Sequence, residues 1–323
     1  MTMFRYRLYG LTIDSDTSFP ELSRLEKPPA ATPVEVRVRL HAPGASTPEF
    51  SEVLQRTTLP DGTPWLSSAK VDQGYLLRFA SMADFIVAGA GDQITCCRAE
   101  SGISIDTVRH LVLDQVFPMV LNRRGQEALH ATAVVIADGA CAFSGPTGSG
   151  KSTLAASFFL AGFRALGDDC LPLLERGGTI QVLPGYPGMR LWKDAIEALS
   201  AEALATMPVA AYTTKLRALE SQSAINFPRE PVPLSRIYRV IRASVGEPEI
   251  SKPMLEPIAP REAFIELVSS SFPLDLADPE MLARHFRLIE KVASTVPVRR
   301  LKVPNDLTRL EAVREAVLAD LNG

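Results

Sequence analysis

Eight consecutive residues constrain this chain more than any other feature. The segment Gly145-Pro-Thr-Gly-Ser-Gly-Lys-Ser152 fits the phosphate-binding pattern G-x-x-x-x-G-K-[ST] in full. The apolar residues 140–143 before it predict a buried strand, and residues 153–161 after it predict a helix that ends at Gly162. A strand, a glycine-rich turn and a helix in this order are the context in which the pattern marks a phosphate site.

The pattern also assigns roles within the loop. Lys151 would reach the terminal phosphates of a nucleotide, and the Ser152 hydroxyl would be a ligand to Mg2+. We therefore expect ATP and Mg2+ as cofactors. The expected nucleotide-binding residues are Gly145, Pro146, Thr147, Gly148, Ser149, Gly150, Lys151, Ser152 and Thr153.

A pair of acidic residues, Asp168 and Asp169, follows the predicted strand at 163–166. One carboxylate in such a position can bind or orient Mg2+, and the other can accept a proton from an attacking hydroxyl. A solvated turn is the alternative interpretation, and the apolar strand before the pair favours the functional one. His130, near the start of the predicted strand 128–136, is by itself more typical of a structural histidine.

Three further basic residues are candidate phosphate or substrate contacts. Arg190 could neutralise phosphate or bind a carboxylate through two hydrogen bonds. Lys215 and Arg217 lie in a segment that could fold over the nucleotide and stabilise charge on a transferring phosphoryl group. An exposed surface charge is the alternative for each of them.

Composition limits the class of protein. The net charge of −3 argues against nucleic acid as a general partner. No apolar run approaches the roughly 20 residues that span a bilayer, and the first ten residues lack the apolar centre of a signal peptide. The four cysteines have no C-x-x-C spacing and are expected to be buried or partly buried thiols in a reducing compartment. We therefore expect a cytoplasmic protein without a membrane partner.

The pattern along the chain predicts an α/β protein with two domains. Short segments within residues 1–104, such as 4–9 and 34–40, alternate polar and apolar side chains, and this region predicts a mainly β domain that presents substrate or serves as a scaffold. Residues 105–323 predict the catalytic domain, with helices expected from Asp106 as N-cap to about 122, from Trp192 to about 205, at 261–269, after Asp278-Pro279, and from about 306 to 321.

His130-Ala-Thr-Ala, the loop 145–152 and Leu166-Gly-Asp-Asp169 together resemble, in order and spacing, the catalytic domain of the HPr kinase/phosphorylase family. The resemblance covers roughly residues 105 to 245. It implies an HPr-kinase-like core with a phosphate loop. It also implies that Asp168 is the catalytic base, that Asp169 lies near the metal with Ser152, and that His130 is close to the reaction centre.

The chain looks closer to a divergent group of that family. Some members of this group work in peptide-modification systems, where in lasso-peptide pathways they phosphorylate the C-terminal serine of the precursor. The resemblance thus implies a peptide or small-protein partner with an acceptor serine, and self-association of the chain. The family's Gly-rich signature after the aspartates is replaced here by residues 184–190, which leaves the second metal ligand and the reverse reaction open.

Three functions compete at this point. The first is an ATP-dependent serine kinase, with Asp168 as base and with Lys151 and Mg2+ stabilising the phosphates. The second is a nucleotide-binding sensor without phosphoryl transfer. The third is an ATPase that drives movement, but transporter ATPases carry an L-S-G-G-Q-like signature and a strand ending in Asp-Glu, which this sequence lacks. The acidic pair favours transfer over binding alone.

Overall fold

The computed structural model describes residues 2–23, 25, 27–40, 47–50, 52–59, 61–100, 102–200, 205–210, 212–219, 227–242 and 250–322. The protein is mixed α/β with a large share of sheet. It divides into two compact units. The first consists of Met1–Glu127, Val209–Thr213 and Phe272–His285, and the second of Ala128–Pro208, Thr214–Ser271 and Phe286–Gly323. Residues 105–127 therefore group with the first unit, and the functional division expected at residue 104 stays a prediction.

The first unit is built on an eight-stranded sheet in the order β1-β2-β3-β8-β7-β6-β5-β4. Val36 and Val38 of β3 are fully buried, whereas the intervening Arg37 is exposed, as the period-two alternation predicted. The strands are β1 Phe4–Leu8, β2 Leu11–Ser15, β3 Val36–Arg39, β4 Glu52–Thr58, β5 Pro64–Val71, β6 Gly74–Phe79, β7 Ala83–Ala88 and β8 Gln93–Ala99.

A helical segment follows this sheet, with α1 at Ile105–Leu111 and α2 at Phe117–Arg123 joined by a π-helical turn at Val112–Val116. The expected helix is confirmed, but its cap is not. Ser104 is the N-cap, and its side chain accepts a hydrogen bond from the Thr107 N–H. Asp106 lies two residues further on, within the first turn of the helix, and pairs with Arg109 instead.

The second unit is built on a nine-stranded sheet whose main path is β12-β10-β11-β18-β14-β13-β9, with β20 beside β18 and β19 beside β20. Strands β11, β18 and β20 run parallel, so their carboxyl ends lie at one edge. The nine strands of this sheet are β9 Ala128–Leu129, β10 Ala131–Ile136, β11 Gly139–Ser144, β12 Arg164–Gly167, β13 Leu171–Arg176, β14 Thr179–Val182, β18 Val232–Arg242, β19 Met254–Pro257 and β20 Val298–Val303. A three-stranded sheet in the order β15-β17-β16 consists of β15 Met189–Leu191, β16 Ala205–Ala210 and β17 Thr213–Leu219.

Both faces of this second sheet are buried. Along β11, Ala140 and Ala142 join one apolar cluster, while Cys141 and Phe143 join another. Residues of α5 and α6 belong to the first cluster, and residues of α3 and α7 belong to the second. Because both faces of the sheet are buried, the strands around the loop are continuous apolar segments in the sequence. The helices are α3 Lys151–Leu160, α4 Lys193–Ala198, α5 Pro260–Val268, α6 Pro279–Thr295 and α7 Leu310–Asn322.

Most of the expected elements of the second unit are present. The strand expected at 128–136 is interrupted at His130, which lies between β9 and β10. The helix expected from Trp192 to about 205 is wrong in length: α4 ends at Ala198, residues 201–204 lie outside the described residues, and β16 begins at Ala205. Local propensity in this alanine-rich segment predicted a longer helix than the tertiary structure retains.

Two further expectations from composition can be compared with the structure. Cys96, Cys141 and Cys170 are buried and Cys97 is half-buried, as expected. Within the described residues, no helix is both long enough and apolar enough to cross a membrane.

Candidate functional site

The glycine-rich loop joins the end of β11 to the start of α3, and two of its glycines are required by close approach. Gly145 has φ +143°, and a Cβ there would lie 2.7 Å from the carbonyl oxygen of Val240. Gly150 has φ +96°, and a Cβ there would lie 2.6 Å from the Arg242 guanidinium. At Gly145 the clash would be with backbone, whereas at Gly150 it would be with the movable end of the Arg242 side chain, so that the positive φ is the stronger constraint there. The loop can therefore keep this shape only with glycine at both positions.

The loop presents backbone donors at the N-terminus of α3. Gly150 is the N-cap of this helix, and no side chain caps it. The first turn of an α-helix leaves N–H groups without intrahelical partners, and the helix dipole makes that end positive. Pro146, Thr147 and Gly148 are exposed at the crest of the loop, while Ser149 and Thr153 are buried on its flanks. This arrangement is suited to bind an anion such as phosphate.

Lys151 lies inside the loop rather than in solvent. The residue is only 5% exposed, and its Nζ donates hydrogen bonds to the carbonyl oxygens of Gly145 at 2.7 Å and Pro146 at 3.1 Å. Burial lowers the pKa of the Lys151 ammonium below its ordinary value, and the charges of Asp169 and Asp168 counteract that shift. The cation is thus held within the loop by weak carbonyl acceptors that an anionic ligand could replace.

Asp168 follows β12 directly, and its buried carboxylate collects donors from three different elements. Thr132 Oγ1 on β10 donates to Oδ1 at 2.5 Å, and Ser152 Oγ on α3 donates to the same oxygen at 2.9 Å. The backbone N–H of Arg190 on β15 donates to Oδ2 at 2.8 Å. The structure therefore joins the predicted metal ligand Ser152 to Asp168, and the acidic pair is not a solvated turn.

Asp169 adopts a left-handed backbone conformation with φ +63°, so its side chain leaves the chain in a different direction from that of Asp168. Its Oδ1 lies 3.5 Å from His130 Nε2, and its Oδ2 lies 3.1 Å from Arg190 Nε. Burial alone would raise the pKa of the Asp169 carboxyl. The charge of Arg190, with the hydrogen bond and charge of His130, outweighs that effect and holds the pKa well below its ordinary value.

Arg190 is a buried clamp on the acidic pair, not an exposed surface charge. The residue is 3% exposed, and its Nε lies 3.4 Å from Asp168 Oδ2 while its terminal nitrogen also donates to the Asp168 carbonyl. Its other terminal nitrogen donates to the Tyr186 hydroxyl at 2.9 Å. Because one guanidinium contacts both aspartates, it fixes the position of the two carboxylates relative to each other.

Arg217 and Lys215 lie on β17, which pairs with β15. Arg217 is the register partner of Arg190 and is 2% exposed, and its guanidinium lies 5.6 Å from the centre of the Tyr186 ring. The Lys215 ammonium lies 5.4 Å from the centre of the Trp192 ring, and its charge acts on Asp169 and Lys151. The structure therefore brings Lys215 close to the loop and the acidic pair, and it places Arg217 beside Arg190 and Tyr186.

The oxygen atoms at this site fit a hard cation. The Ser152 hydroxyl and the two carboxylates supply the oxygen ligands that Mg2+ prefers, and Mg2+ usually takes only one or two carboxylates together with substrate phosphates. Over the described part of the chain, no group of three or more His, Cys, Asp or Glu side chains is arranged to hold a metal ion.

Two residues of the site, Thr132 and Tyr186, are not predicted as functional residues from the sequence. Thr132 sits in a run of small and apolar residues, where a threonine has no distinctive signal, and only the pairing of β10 with β11 and β12 brings it to Asp168. Tyr186 lies in the segment 184–190 that replaces the family's Gly-rich signature, and its ring contacts both Arg190 and Arg217. A tyrosine within reach of two predicted phosphate contacts could have been noted as their partner.

Comparison with known proteins adds little to this geometry. No family model matches the chain, and no curated protein matches it. Among solved structures, that of the HPr(Ser) kinase/phosphatase from Coxiella burnetii is similar with a TM-score of 0.33 and 11% sequence identity, over 61% of this chain and 99% of that chain. Because a TM-score this low establishes neither fold nor function, we base the proposals below on the residues of this chain.

Proposed function

We propose that the protein is an ATP-dependent kinase that transfers the γ-phosphoryl group to a serine hydroxyl of a peptide or small protein. The observation that carries this proposal is the hydrogen bond from Ser152, at the start of α3, to Asp168, at the end of β12. It joins the glycine-rich loop to a carboxylate, which is the combination that phosphoryl transfer requires.

The loop would bind the phosphates. Backbone N–H groups of residues 145–153 would surround the phosphate oxygens, and Lys151 would exchange its carbonyl acceptors for the terminal phosphates. Ser152 and Asp169 would hold Mg2+, directly or through water. The bound ion would neutralise charge on the β- and γ-phosphates.

Asp168 would act as the base. An ionised carboxylate offers about four acceptor sites, and the three hydrogen bonds to Asp168 leave about one for an acceptor hydroxyl. The oxygen of the acceptor hydroxyl would form a bond to the γ-phosphorus while the bond between the γ-phosphorus and the bridging oxygen of ADP breaks. Asp168 would take the proton that the hydroxyl loses. Lys215, Arg217 and His130 would stabilise the charge that develops on the transferring group.

The acceptor would be a peptide or small protein, with the β-rich domain at 1–104 as the place where it is recognised. The resemblance to HPr-kinase-like proteins at residues 130–133, 145–152 and 166–169 supports a serine acceptor, and the C-terminal serine of a lasso-peptide precursor is one candidate. The same resemblance supports self-association, and the reducing compartment suggested by the cysteines supports the cytoplasm.

The test is incubation with γ-labelled ATP, Mg2+ and candidate peptides encoded near this gene, followed by mass spectrometry. We expect a peptide with one added phosphate and its label on a serine. Asp168→Asn supplies the control, since it should bind ATP and form no adduct. Serine phosphorylation by the variant at the wild-type rate would contradict the proposal.

A nucleotide-binding sensor is the second candidate, and one observation favours it. Both oxygens of Asp168 already accept hydrogen bonds, which is also what a purely positional carboxylate would do. A sensor would bind Mg-ATP with Lys151-dependent affinity and yield no phosphopeptide with any acceptor. The same labelling experiment, paired with calorimetry, therefore separates the two functions.

A further inference from the structure

The paired strands β15 and β17 have one apolar face and one polar face. Arg190 is opposite Arg217 in their antiparallel register. The next pair along, Leu191 and Leu216, packs into the apolar cluster that contains residues of α3. Successive side chains of a strand point to opposite faces, so Arg190 and Arg217 lie on the other face, where Arg190 contacts both aspartates. The polar face is therefore the one that adjoins the acidic pair.

Trp192 and Lys215 continue the polar face by one more step. The register, extended by one residue beyond Leu191 and Leu216, sets Trp192 opposite Lys215. The backbone of Trp192 is still extended, with φ −72° and ψ 156°, although the residue is also the N-cap of α4. The Lys215 ammonium lies 5.4 Å from the centre of the Trp192 ring, as expected for opposite residues on one face of a strand pair.

Exposure increases along this face from the arginines to Trp192. Arg190 and Arg217 are buried, Lys215 is half-buried, and Trp192 is 41% exposed. A single exposed apolar side chain is normal on a protein surface and by itself indicates no function. The position of the Lys215 ammonium over the indole is the feature that distinguishes Trp192.

Lys215 acts on the site from this position. While the ammonium lies over the ring, its charge acts on Asp169 and on Lys151. The ring therefore holds the cation within electrostatic reach of both the acidic pair and the glycine-rich loop. A lysine has a long, flexible side chain, and it loses conformational freedom whenever its ammonium is held in one place.

We propose that Trp192 is a positioning residue that holds the Lys215 ammonium ready for the γ-phosphate, an inference that rests on the proposed kinase function. The face of an indole attracts a cation, and tryptophan is the best of the aromatic side chains in this respect. Trp192 does not touch the reacting atoms. It restricts the side chain of Lys215 in advance, so that less freedom is lost when the ammonium meets the phosphate.

The test compares Mg-ATP with Mg-ADP, which differ in the γ-phosphate. Calorimetry would measure the affinity of both ligands for the wild type, Trp192→Phe and Trp192→Leu. Phenylalanine and leucine are both smaller than tryptophan, but only phenylalanine offers an aromatic face. We expect Trp192→Leu to weaken Mg-ATP by about two- to fivefold, Trp192→Phe to weaken it less, and both variants to bind Mg-ADP as the wild type does.

A double-mutant cycle shows whether Trp192 acts through Lys215. Lys215→Met removes the ammonium, keeps an unbranched side chain and should weaken Mg-ATP more than Trp192→Leu does. Adding Trp192→Leu to Lys215→Met should then cause no further loss. Phe50→Leu is the matched control in the first unit, where the ring centre lies 4.4 Å from the Arg78 guanidinium, and it should change neither affinity.

A fluorescence measurement decides the question even if thermal unfolding shows that Trp192→Leu is not folded. The chain has two tryptophans, so Trp65→Phe leaves Trp192 as the only one. Mg-ATP should change the emission of Trp192 more than Mg-ADP does, because the γ-phosphate attracts the ammonium beside the ring. Lys215→Met should remove this difference. Equal changes in emission with the two ligands would overturn the proposal.

The affinities separate this proposal from the phosphate site on which it rests. If Lys151→Ala weakens both ligands while Trp192→Leu binds Mg-ATP as the wild type does, the role of Trp192 is overturned and the phosphate site stands. Equal losses in Trp192→Phe and Trp192→Leu, or additive losses in the double variant, would overturn it as well. If Lys151→Ala leaves both affinities unchanged, the phosphate site fails, and the role of Trp192 fails with it.

Discussion

The two compact units use buried charge differently. In the first unit, Asp84 faces Arg78 across β6 and β7, and Arg109 pairs with Glu21 and with Asp106. In the second unit, donors from β10, α3 and β15 converge on Asp168, and Arg190 spans both aspartates. Ion pairs of this kind hold elements together, whereas convergence of several donors on one carboxylate beside a glycine-rich loop is typical of a preorganised ligand site.

The largest expected effect on phosphoryl transfer and Mg-ATP binding is that of removing the positive charge of Lys151 from the loop. Lys151→Ala should abolish phosphoryl transfer and sharply weaken Mg-ATP binding, because the loop loses its own positive charge. Calorimetric titration measures the affinity directly. Lys70→Ala in the first unit removes the partner of the buried Asp275 and should leave ATP affinity unchanged. Equal ATP affinity of Lys151→Ala and the wild type would contradict the loop assignment.

The next largest effect is expected at the proposed base. Asp168→Asn should retain ATP binding and lose transfer by roughly 10²–10⁴, the usual contribution of a general base. The rate of label transfer under ATP saturation is the relevant measurement. As its counterpart, Asp84→Asn should lower the thermal midpoint and leave the rate of the folded protein unchanged. Wild-type turnover by Asp168→Asn would remove this residue from the mechanism.

Arg190→Gln in the second unit can be compared with Arg109→Gln in the first unit, both in stability against urea and in Mg-ATP affinity. Removal of one partner from a buried ion pair costs about 3–5 kcal/mol, so both Arg190→Gln and Arg109→Gln should unfold at lower urea concentration than the wild type. Only Arg190→Gln should also weaken Mg-ATP binding, because only this guanidinium positions Asp168 and Asp169. Equal ATP affinities of the two variants would show that Arg190 is merely structural.

The pH dependence of the free energy of unfolding tests the contact between Arg190 and Asp169. The folded pKa of Asp169 is held below its unfolded value, so its ionisation stabilises the protein above about pH 4. This contribution is lost as the pH falls through the lower, folded pKa. The free energy of unfolding in urea, measured from about pH 6 down to about pH 2, should fall less steeply in Arg190→Gln than in the wild type. Parallel curves would count against the Arg190–Asp169 pair.

The smallest expected effect is at Thr132. Thr132→Val keeps the shape of the side chain and removes one donor to Asp168, which should cost about 1.5–3 kcal/mol of unfolding free energy and reduce transfer. Thr107→Val makes the same change in the first unit, where Oγ1 contacts Ser104 Oγ, and should affect stability alone. If both variants keep the wild-type transfer rate, the Thr132 hydroxyl does not orient Asp168 for the reaction.

Sequence reasoning was most reliable where local signals decide the structure. The glycine-rich loop, the strand before it and the helix after it follow from neighbouring residues alone, as does the strand that ends just before Asp168. Arg190 was identified as a candidate, but the register of β15 with β17, which sets it opposite Arg217, depends on strand pairing between distant segments. Such pairings are decided by tertiary packing, which a single sequence does not encode locally.

The ends and N-caps of helices also depend on contacts that a single sequence does not reveal. Ser104 and Asp106 are both good N-cap residues, and the structure shows that Ser104 is the cap, because its side chain accepts the hydrogen bond from the Thr107 N–H. The early end of α4 at Ala198 opposes the helix propensity of the alanine-rich residues that follow.

Hydrogen–deuterium exchange with and without Mg-ATP tests the central claim most directly, because it reports on both units in one experiment. We predict protection of the peptide that covers residues 145–153, with a smaller change around residues 166–169, and no change in strands β4 to β7 of the first unit. Saturating Mg-ATP that leaves the exchange of residues 145–153 unaltered would contradict the claim that this loop binds the nucleotide.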